Sequence, residues 1–458
     1  MYKKYYSKPK TDFIFYGYCP PGCEQRDYVI GNGKGDGRAT VENYEEYKAV
    51  GFNMVESGTV ATYYGEEWET SKCKRIMDVV YAAGIDKYIV GDQIFYEMSG
   101  ERDGLIGEGK RFATEAELDA FVANRIKDYS RHPAFYGLYL RDEPHYYYFK
   151  AFGQLYRSVK RVCPKAFVYC NLLPMDTLRW MDERYPQGGD LLERRSKYLH
   201  MFLDETGADY IMYDDYPFCY NKENKVLYIR CLQNAAEICR DRGVKFSFVA
   251  QSFSMLIGNS EYYWTPNEQE LRYQMHLLLG FGVQEMGFFT YQPHGNNSLG
   301  ENFHNDGAMV TREGGKMPLY YEVQKIIGEA KEILPVLLHF TYHRSAYDVE
   351  TFHSFLKQLD YAKNEPLERV EDFKTDKEGV LINELYNAEN QHYLYRVINM
   401  TEIRCEEMQG VPQTTSIRFK EGVREADVYA DGKWTKHAVT DGGLDITLLP
   451  GDAAYILI

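Results

Sequence analysis

The run Leu140-Arg-Asp-Glu-Pro144 sets two carboxylates side by side where the flanking pattern ends a strand. Successive strand residues point to opposite faces, so at most one of Asp142 and Glu143 faces a given side unless the backbone turns, and Pro144 marks such a turn. Repulsion and partial burial raise the pKa of one carboxyl group, as a general acid at neutral pH requires. Glu143 is the expected acid/base; the structural alternative is an ion pair between Arg141 and one of the acids. A second cluster, Tyr213-Asp-Asp-Tyr-Pro217, offers Asp214 and Asp215. Cleavage of a glycosidic bond takes two carboxyl groups, one donating a proton and one serving as nucleophile or base, or else a carboxylate that orients an assisting group on the substrate. Either aspartate can serve, the sequence does not choose, and a capping or turn role is the alternative for each.

The elements that would position these groups follow one rhythm. Short β-rich runs are expected at 13–18, 54–56, 87–92, 135–140, 167–171, 210–213, 246–250 and 287–291. Amphipathic helices are expected between and after them, at 41–50, 71–83, 114–130, 150–162, 191–206, 226–242, 266–281 and 318–334. Gly51, Gly84, Gly207 and Gly243 sit where left-handed helix ends belong, and Thr114 with Glu117 makes a capping box. Eight βα units imply parallel strands closed into a (β/α)8 barrel over 1–338. An open doubly wound sheet is the runner-up, but it lacks a G-x-G-x-x-G after the first strand, and the glycine run 31–37 reads as a flexible loop. Beyond Pro335 the period changes to two and Asp431-Gly432 and Gly442-Gly443 mark hairpin turns, so 339–458 is expected to be an antiparallel β-sandwich.

A (β/α)8 barrel builds its site at the C-terminal strand ends. Those ends here carry Tyr18, Glu56, Asp92, Gln93, Asn171, Tyr213, Tyr216, Gln251, Tyr291 and Gln292, with His294 just beyond. Such a ring of carboxylates, amides and phenols suits a polyhydroxylated substrate, since each hydroxyl needs a donor or acceptor and each apolar ring face an aromatic platform. The bland alternative is that every barrel mouth is polar.

Composition narrows the classes. The 458 residues are 44% hydrophobic and 26% charged, ordinary for a soluble globular chain, and no apolar run approaches the ~20 residues of a membrane span. A net charge of -15 with no basic patch argues against nucleic acid. The 42 tyrosines suit sugar sites and a homo-oligomer interface alike. Nine scattered cysteines read as free thiols, and neither a zinc pattern nor His-x-His on strand one is present, so no metal or cofactor is expected. The N-terminal residues lack an apolar signal region, for which a cytoplasmic location is the expectation.

The barrel rhythm, Gly137-Leu-Tyr-Leu-Arg-Asp-Glu-Pro144, the strand-eight run Phe288-Phe-Thr-Tyr291 and the ending Leu449-Pro-Gly-Asp-Ala-Ala-Tyr-Ile-Leu-Ile458 together resemble bacterial glycoside hydrolases of the β-galactosidase-like barrel type. The resemblance implies hydrolysis of a carbohydrate substrate with Glu143 as acid/base. That superfamily's nucleophile is a glutamate ending strand seven, where this chain has Ala250-Gln251-Ser252, so the partner carboxylate has moved to strand six or the mechanism differs. The Asp142-Glu143 pair is also similar to that of hexosaminidases working by substrate assistance, which implies that Asp142 orients an acetamido group, with Tyr213 and Tyr216 as contacts. A third implication is a sugar-binding protein derived from such a barrel.

Overall fold

The computed structural model describes residues 5–6, 8–22, 38–57, 63–174, 184–186, 188–220, 227–257, 260–293, 303–311, 313–348, 363–376, 379–401 and 410–458, the side chains of 256–257, 260–261 and 303–306 excepted. His294 and the glycine run 31–37 lie outside the described residues.

Eight parallel strands form the barrel: β1 Ile14–Gly17, β2 Val55–Glu56, β3 Tyr88–Gly91, β4 Phe135–Asp142, β5 Phe167–Asn171, β6 Tyr210–Asp214, β7 Lys245–Gln251 and β8 Val283–Phe289. They pair as two four-stranded sheets, β1-β8-β7-β6 and β2-β3-β4-β5. A parallel bridge between Leu172 and Tyr213 joins β5 to β6. Asn53 joins β2 to β1, its backbone nitrogen donating to the Phe15 carbonyl at 2.9 Å and its side-chain Oδ1 accepting from the Phe15 nitrogen at 3.0 Å. The architecture is α/β, a TIM-type barrel followed by antiparallel sheets.

Nine helices are described: α1 Val41–Ala49, α2 Lys72–Ala82, α3 Gln93–Ser99, α4 Glu115–Ile126, α5 Phe149–Val162, α6 Leu191–Thr206, α7 Tyr228–Arg242, α8 Glu268–Gly280 and α9 Pro318–Leu337. Residues Gly207 and Gly243 end α6 and α7 at φ 68° and 65°, a region that costs a Cβ-bearing residue but not glycine. Two differences from the sequence pattern stand out. The extra helix α3 follows β3 directly because Asp92 caps it, accepting from the amides of Ile94 and Phe95. Helix α9 runs through Pro335, near its C-terminal end, rather than stopping before it.

Inside the barrel the filling is largely phenolic. Tyr16, Tyr139, Tyr169 and Met212 share the interior, with Tyr16 bonded to the Tyr169 hydroxyl at 2.9 Å and donating to Met212 Sδ at 3.3 Å. The Tyr139 and Tyr169 rings stack with centroids 5.1 Å apart. Glycine is required opposite Tyr16, because a Cβ on Gly287 would lie 2.5 Å from the tyrosine ring.

The chain then forms a six-stranded antiparallel sheet from Thr341–Asp348, Val380–Asn387, His392–Asn399, Ala453–Leu457, Glu425–Ala430 and Lys433–Ala438. A three-stranded sheet of Val370–Thr375, Gln413–Phe419 and Gly443–Leu448 accompanies it. Val380, Ile382, Tyr395, Val397, Ile417 and Ile446 belong to their shared core, while Leu381, Leu385, Leu394 and Tyr455 join the barrel's core. That alternation is the period of two at work: one face of the six-stranded sheet meets its companion, the other the barrel helices.

Candidate active site

Strand β4 carries the decisive irregularity. Tyr139 pairs with Tyr169 of β5, but Arg141 pairs with Cys170 and Asp142 with Asn171, so one extra residue is inserted between Tyr139 and Arg141. Without that bulge Arg141 would share the inward face of Tyr139; with it, Asp142 turns inward and Arg141 outward. Arg141 lies over the Tyr96 ring at 4.6 Å and the Tyr148 ring at 5.1 Å and makes no ion pair with a described carboxylate. One residue on, Glu143 adopts φ 41°, rare for a side-chain-bearing residue, and its nitrogen donates to the Asn171 carbonyl at 2.8 Å. The bulge and the turn thus send the two adjacent acids to neighbouring stations instead of opposite faces.

At the axis, Asn171 Nδ2 donates to Asp142 Oδ1 at 3.1 Å and to Asp214 Oδ1 at 2.7 Å. One amide therefore bridges carboxyl groups from β4 and β6. Burial pushes the Asp142 pKa up to about 6, against the lowering effect of Asn171 and the nearby Arg141 and Arg184. Burial, with the charge of Asp142 adding to it, pushes Asp214 up to about 7. Two carboxyl groups this close in a dry site do not both ionise readily, so the pair retains a proton above the usual carboxylate range. Tyr216 hydrogen-bonds to Asp214, and its ring packs edge-on against Phe253 at 4.9 Å and Tyr263 at 5.8 Å. Beneath, Tyr18 is bonded to Tyr169 and feels the charge of Asp142. Glu56 is fully buried, and its charge reaches Tyr16, Tyr18, Tyr139 and Tyr169.

Glu143 stands beside this pair with its side chain 25% exposed, and Oε2 meets Arg184 Nη1 at 3.2 Å. The arrangement sets an accessible, arginine-paired carboxyl group beside a buried pair, and the carboxyl groups whose pKa is raised are Asp142 and Asp214.

The remaining ring members are employed otherwise. Asp215 is separated from Asp214 by the strand period: it lies on the helix side with Tyr213, whose ring has the Arg195 guanidinium 4.1 Å above it, and with Tyr228 and Cys231. Asp92 takes Arg125 at 2.7 and 3.0 Å and Tyr129 at 3.2 Å. Gln93 Nε2 donates to Glu97 at 2.8 Å. The Gln251 amide accepts from the Phe218 nitrogen at 2.9 Å and donates to the carbonyls of Phe218 and Trp264, both at 3.1 Å. A glutamate could accept there but not donate, which gives a physical reason for the amide at the end of β7. Tyr291 is buried edge-on against Tyr47 at 5.0 Å, and Gln292 accepts from Arg38 at 3.4 Å.

Sequence reasoning missed the β4 bulge, Arg184 and the inward phenols. Arg184 sits in an aperiodic stretch, where nothing local ties it to Glu143. Tyr16 and Tyr169 were detectable, since each lies two residues before a strand end already singled out, whereas the bulge sets Tyr139 three residues before Asp142. Among the described residues no group of three or more His, Cys, Asp or Glu side chains could hold a metal ion, and no helix is long and apolar enough to cross a membrane.

No protein-family model matches the sequence, and no curated protein does. Solved structures do match in fold. A catalytic mutant of Gan42B, a GH42 β-galactosidase from G. stearothermophilus, is 9% identical with a TM-score of 0.55, the alignment covering 99% of each chain. A structure described as a glycoside hydrolase is 12% identical with a TM-score of 0.50, covering 97% of this chain and 92% of its own. The fold is thus a (β/α)8 barrel fold shared with these glycoside hydrolase structures.

Proposed function

We propose that the protein is a glycoside hydrolase, with Glu143 as general acid/base and Asp214 as the second carboxyl group. The observation that carries this is the Asn171 amide bridging Asp142 and Asp214 at the C-terminal strand ends, with Glu143 beside them. Glu143 would donate a proton to the leaving glycosidic oxygen and recover it from water. Asp214, held by Asn171 and Tyr216, would meet the anomeric carbon in its ionised form as nucleophile or as base for water. The fold of its structural neighbours, named as a β-galactosidase and a glycoside hydrolase, supports the same class.

The inward turn of Asp142 favours one second reading, in which it orients a 2-acetamido group that attacks in place of Asp214. Turnover on aryl glycosides and natural oligosaccharides, with and without a 2-acetamido group, tests both. Activity on plain hexosides lost in Asp214→Asn supports the first reading, and activity confined to acetamido sugars supports the second. Silence across the panel, with sugar binding retained, would make the protein a carbohydrate-binding relative of such enzymes.

A further inference from the structure

Asn171 touches all three candidate acids. Its Nδ2 donates to Asp142 Oδ1 at 3.1 Å and to Asp214 Oδ1 at 2.7 Å, and its backbone carbonyl accepts from the Glu143 nitrogen at 2.8 Å. A primary amide has two N–H donors, and both are spent on carboxyl oxygens. The Oδ1 end is buried and bonded to no described residue, and the whole residue is only 4% exposed. A sugar hydroxyl therefore finds neither a spare donor nor an accessible acceptor on it, although it stands at a strand end where a barrel mouth would offer one. Turning the amide over would set Oδ1 against the two carboxyl groups and would need both of them protonated.

The cations nearby are engaged elsewhere. Arg141 Nη1 donates to the Tyr96 carbonyl at 3.1 Å, and Arg184 Nη1 meets Glu143 Oε2 at 3.2 Å. Among the described residues neither Asp142 nor Asp214 makes an ion pair. The other titratable groups facing the two acids are Tyr16 and Tyr18 of β1, Tyr139 of β4, Cys170 of β5, Tyr96 of α3 and Tyr216 after β6. Burial raises the pKa of each, so all of them are neutral near pH 7. His145, beyond Glu143 in the same loop, is neutral as well, since burial pushes its pKa down to about 4. The Asn171 amide is thus the hydrogen-bonding partner that both buried acids have in common, and it favours their ionised forms against the burial that opposes them. Being uncharged, it supports negative charge without cancelling it.

We infer that Asn171 is a positioning residue and not a sugar contact: it holds Asp142, Asp214 and the Glu143 backbone in one arrangement and supplies the hydrogen bonds that support charge on Asp214. Its effect on turnover rests on the proposed glycosidase reading, whereas its hold on the two acids does not.

Side-chain amide spectra of the native, nitrogen-15-labelled protein test the bonds without requiring turnover. The two Nδ2 protons of Asn171, assigned by their loss in Asn171→Leu, should shift between about pH 5 and pH 9, one following Asp142 and the other Asp214. Asp142→Asn and Asp214→Asn should each abolish one of the two responses. Kinetics then separate positioning from packing. In Asn171→Leu, shown to be folded by circular dichroism, the acid limb of kcat/KM should move up by about one pH unit, because the ionised acids have lost their donors. Turnover lost at about pH 7 should therefore return at about pH 9, with KM changed by less than about twofold because no sugar contact is removed. Asn171→Asp keeps the shape, lacks the donors and adds a third acid, so it should move the limb further. A residue that only fills space would lower activity equally at every pH. Amide protons that ignore pH over this range overturn the inference, and so does an acid limb unmoved in the folded Asn171→Leu protein or a KM raised about tenfold with kcat unchanged. The two layers fail separately: amide protons that follow both acids in a protein cleaving no glycoside sink the glycosidase reading and leave the hold on the acids standing, whereas glycoside cleavage with an unmoved pH profile sinks the inference alone.

Discussion

Asp92 and Asp214 both stand at the C-terminal ends of barrel strands, both are buried, and they are handled in opposite ways. Asp92 receives a bidentate Arg125, the Tyr129 hydroxyl and two helix amides. Asp214 receives a neutral amide that it shares with another acid. The first carboxylate has a guanidinium set against its burial, although burial still raises its pKa. The second has no cation bonded to it, a deficit that the proposed glycosidase reading would use to answer developing positive charge on a substrate. Position at a strand end therefore does not by itself distinguish the two aspartates; their partners do.

Substitutions sharpen the contrast. Asp214→Asn and Glu143→Gln should each lower kcat by roughly 10²–10⁴-fold with the fold intact by circular dichroism, a loss typical of removing a positioned acid or base. Asp92→Asn should do the reverse, keeping turnover per folded molecule while costing about 3 kcal/mol in urea unfolding, because Arg125 is left with half its partner. Equal loss of kcat in both variants would erase the distinction.

Gln251→Glu extends the comparison to the strand where the resembled superfamily keeps its nucleophile. We expect a loss of about 2 kcal/mol in stability and no gain in turnover, since a carboxylate cannot donate to the Phe218 and Trp264 carbonyls. Increased activity in that variant would show that β7 still offers a working station.

The pair also leaves a signature in stability against pH. Folded-state pKa values of about 6 and about 7 lie above the usual 3.8, so between these limits the folded chain holds protons the unfolded chain has released. Stability contributed by these groups is full at the acid end and falls as pH rises through about 7. Asp214→Asn should flatten that fall, giving a Tm a few degrees above the native protein on the alkaline side in calorimetric scans; parallel curves would contradict the retained proton. The smallest effect expected is from Tyr16→Phe, about 1 kcal/mol in chemical unfolding, for one buried hydroxyl bond to Tyr169.

Much of this was legible beforehand. The eight barrel strands and eight of the nine described helices follow from local periodicity, and capping marks such as Gly207 and Gly243 fixed helix ends within a few residues. The helix α3 escaped notice because it has less than two apolar turns and depends on Asp92 as its cap. The candidate acids were legible as types. Their division between site and scaffold was not, because Arg125, Arg195 and Arg184 approach from helices and loops distant in sequence.

The sequence by itself determined the βα rhythm, the change to a period of two after the barrel, and the presence of carboxyl groups at the ends of β4 and β6. Each of these is a matter of nearest neighbours along the chain. Only the tertiary structure decided that Asp142 faces inward, that Asp214 rather than Asp215 joins it, and that Gln251 is spent on backbone groups. A one-residue bulge reverses every facing beyond it, and a hydrogen bond's partner can lie anywhere in the chain, so neither is written in local pattern.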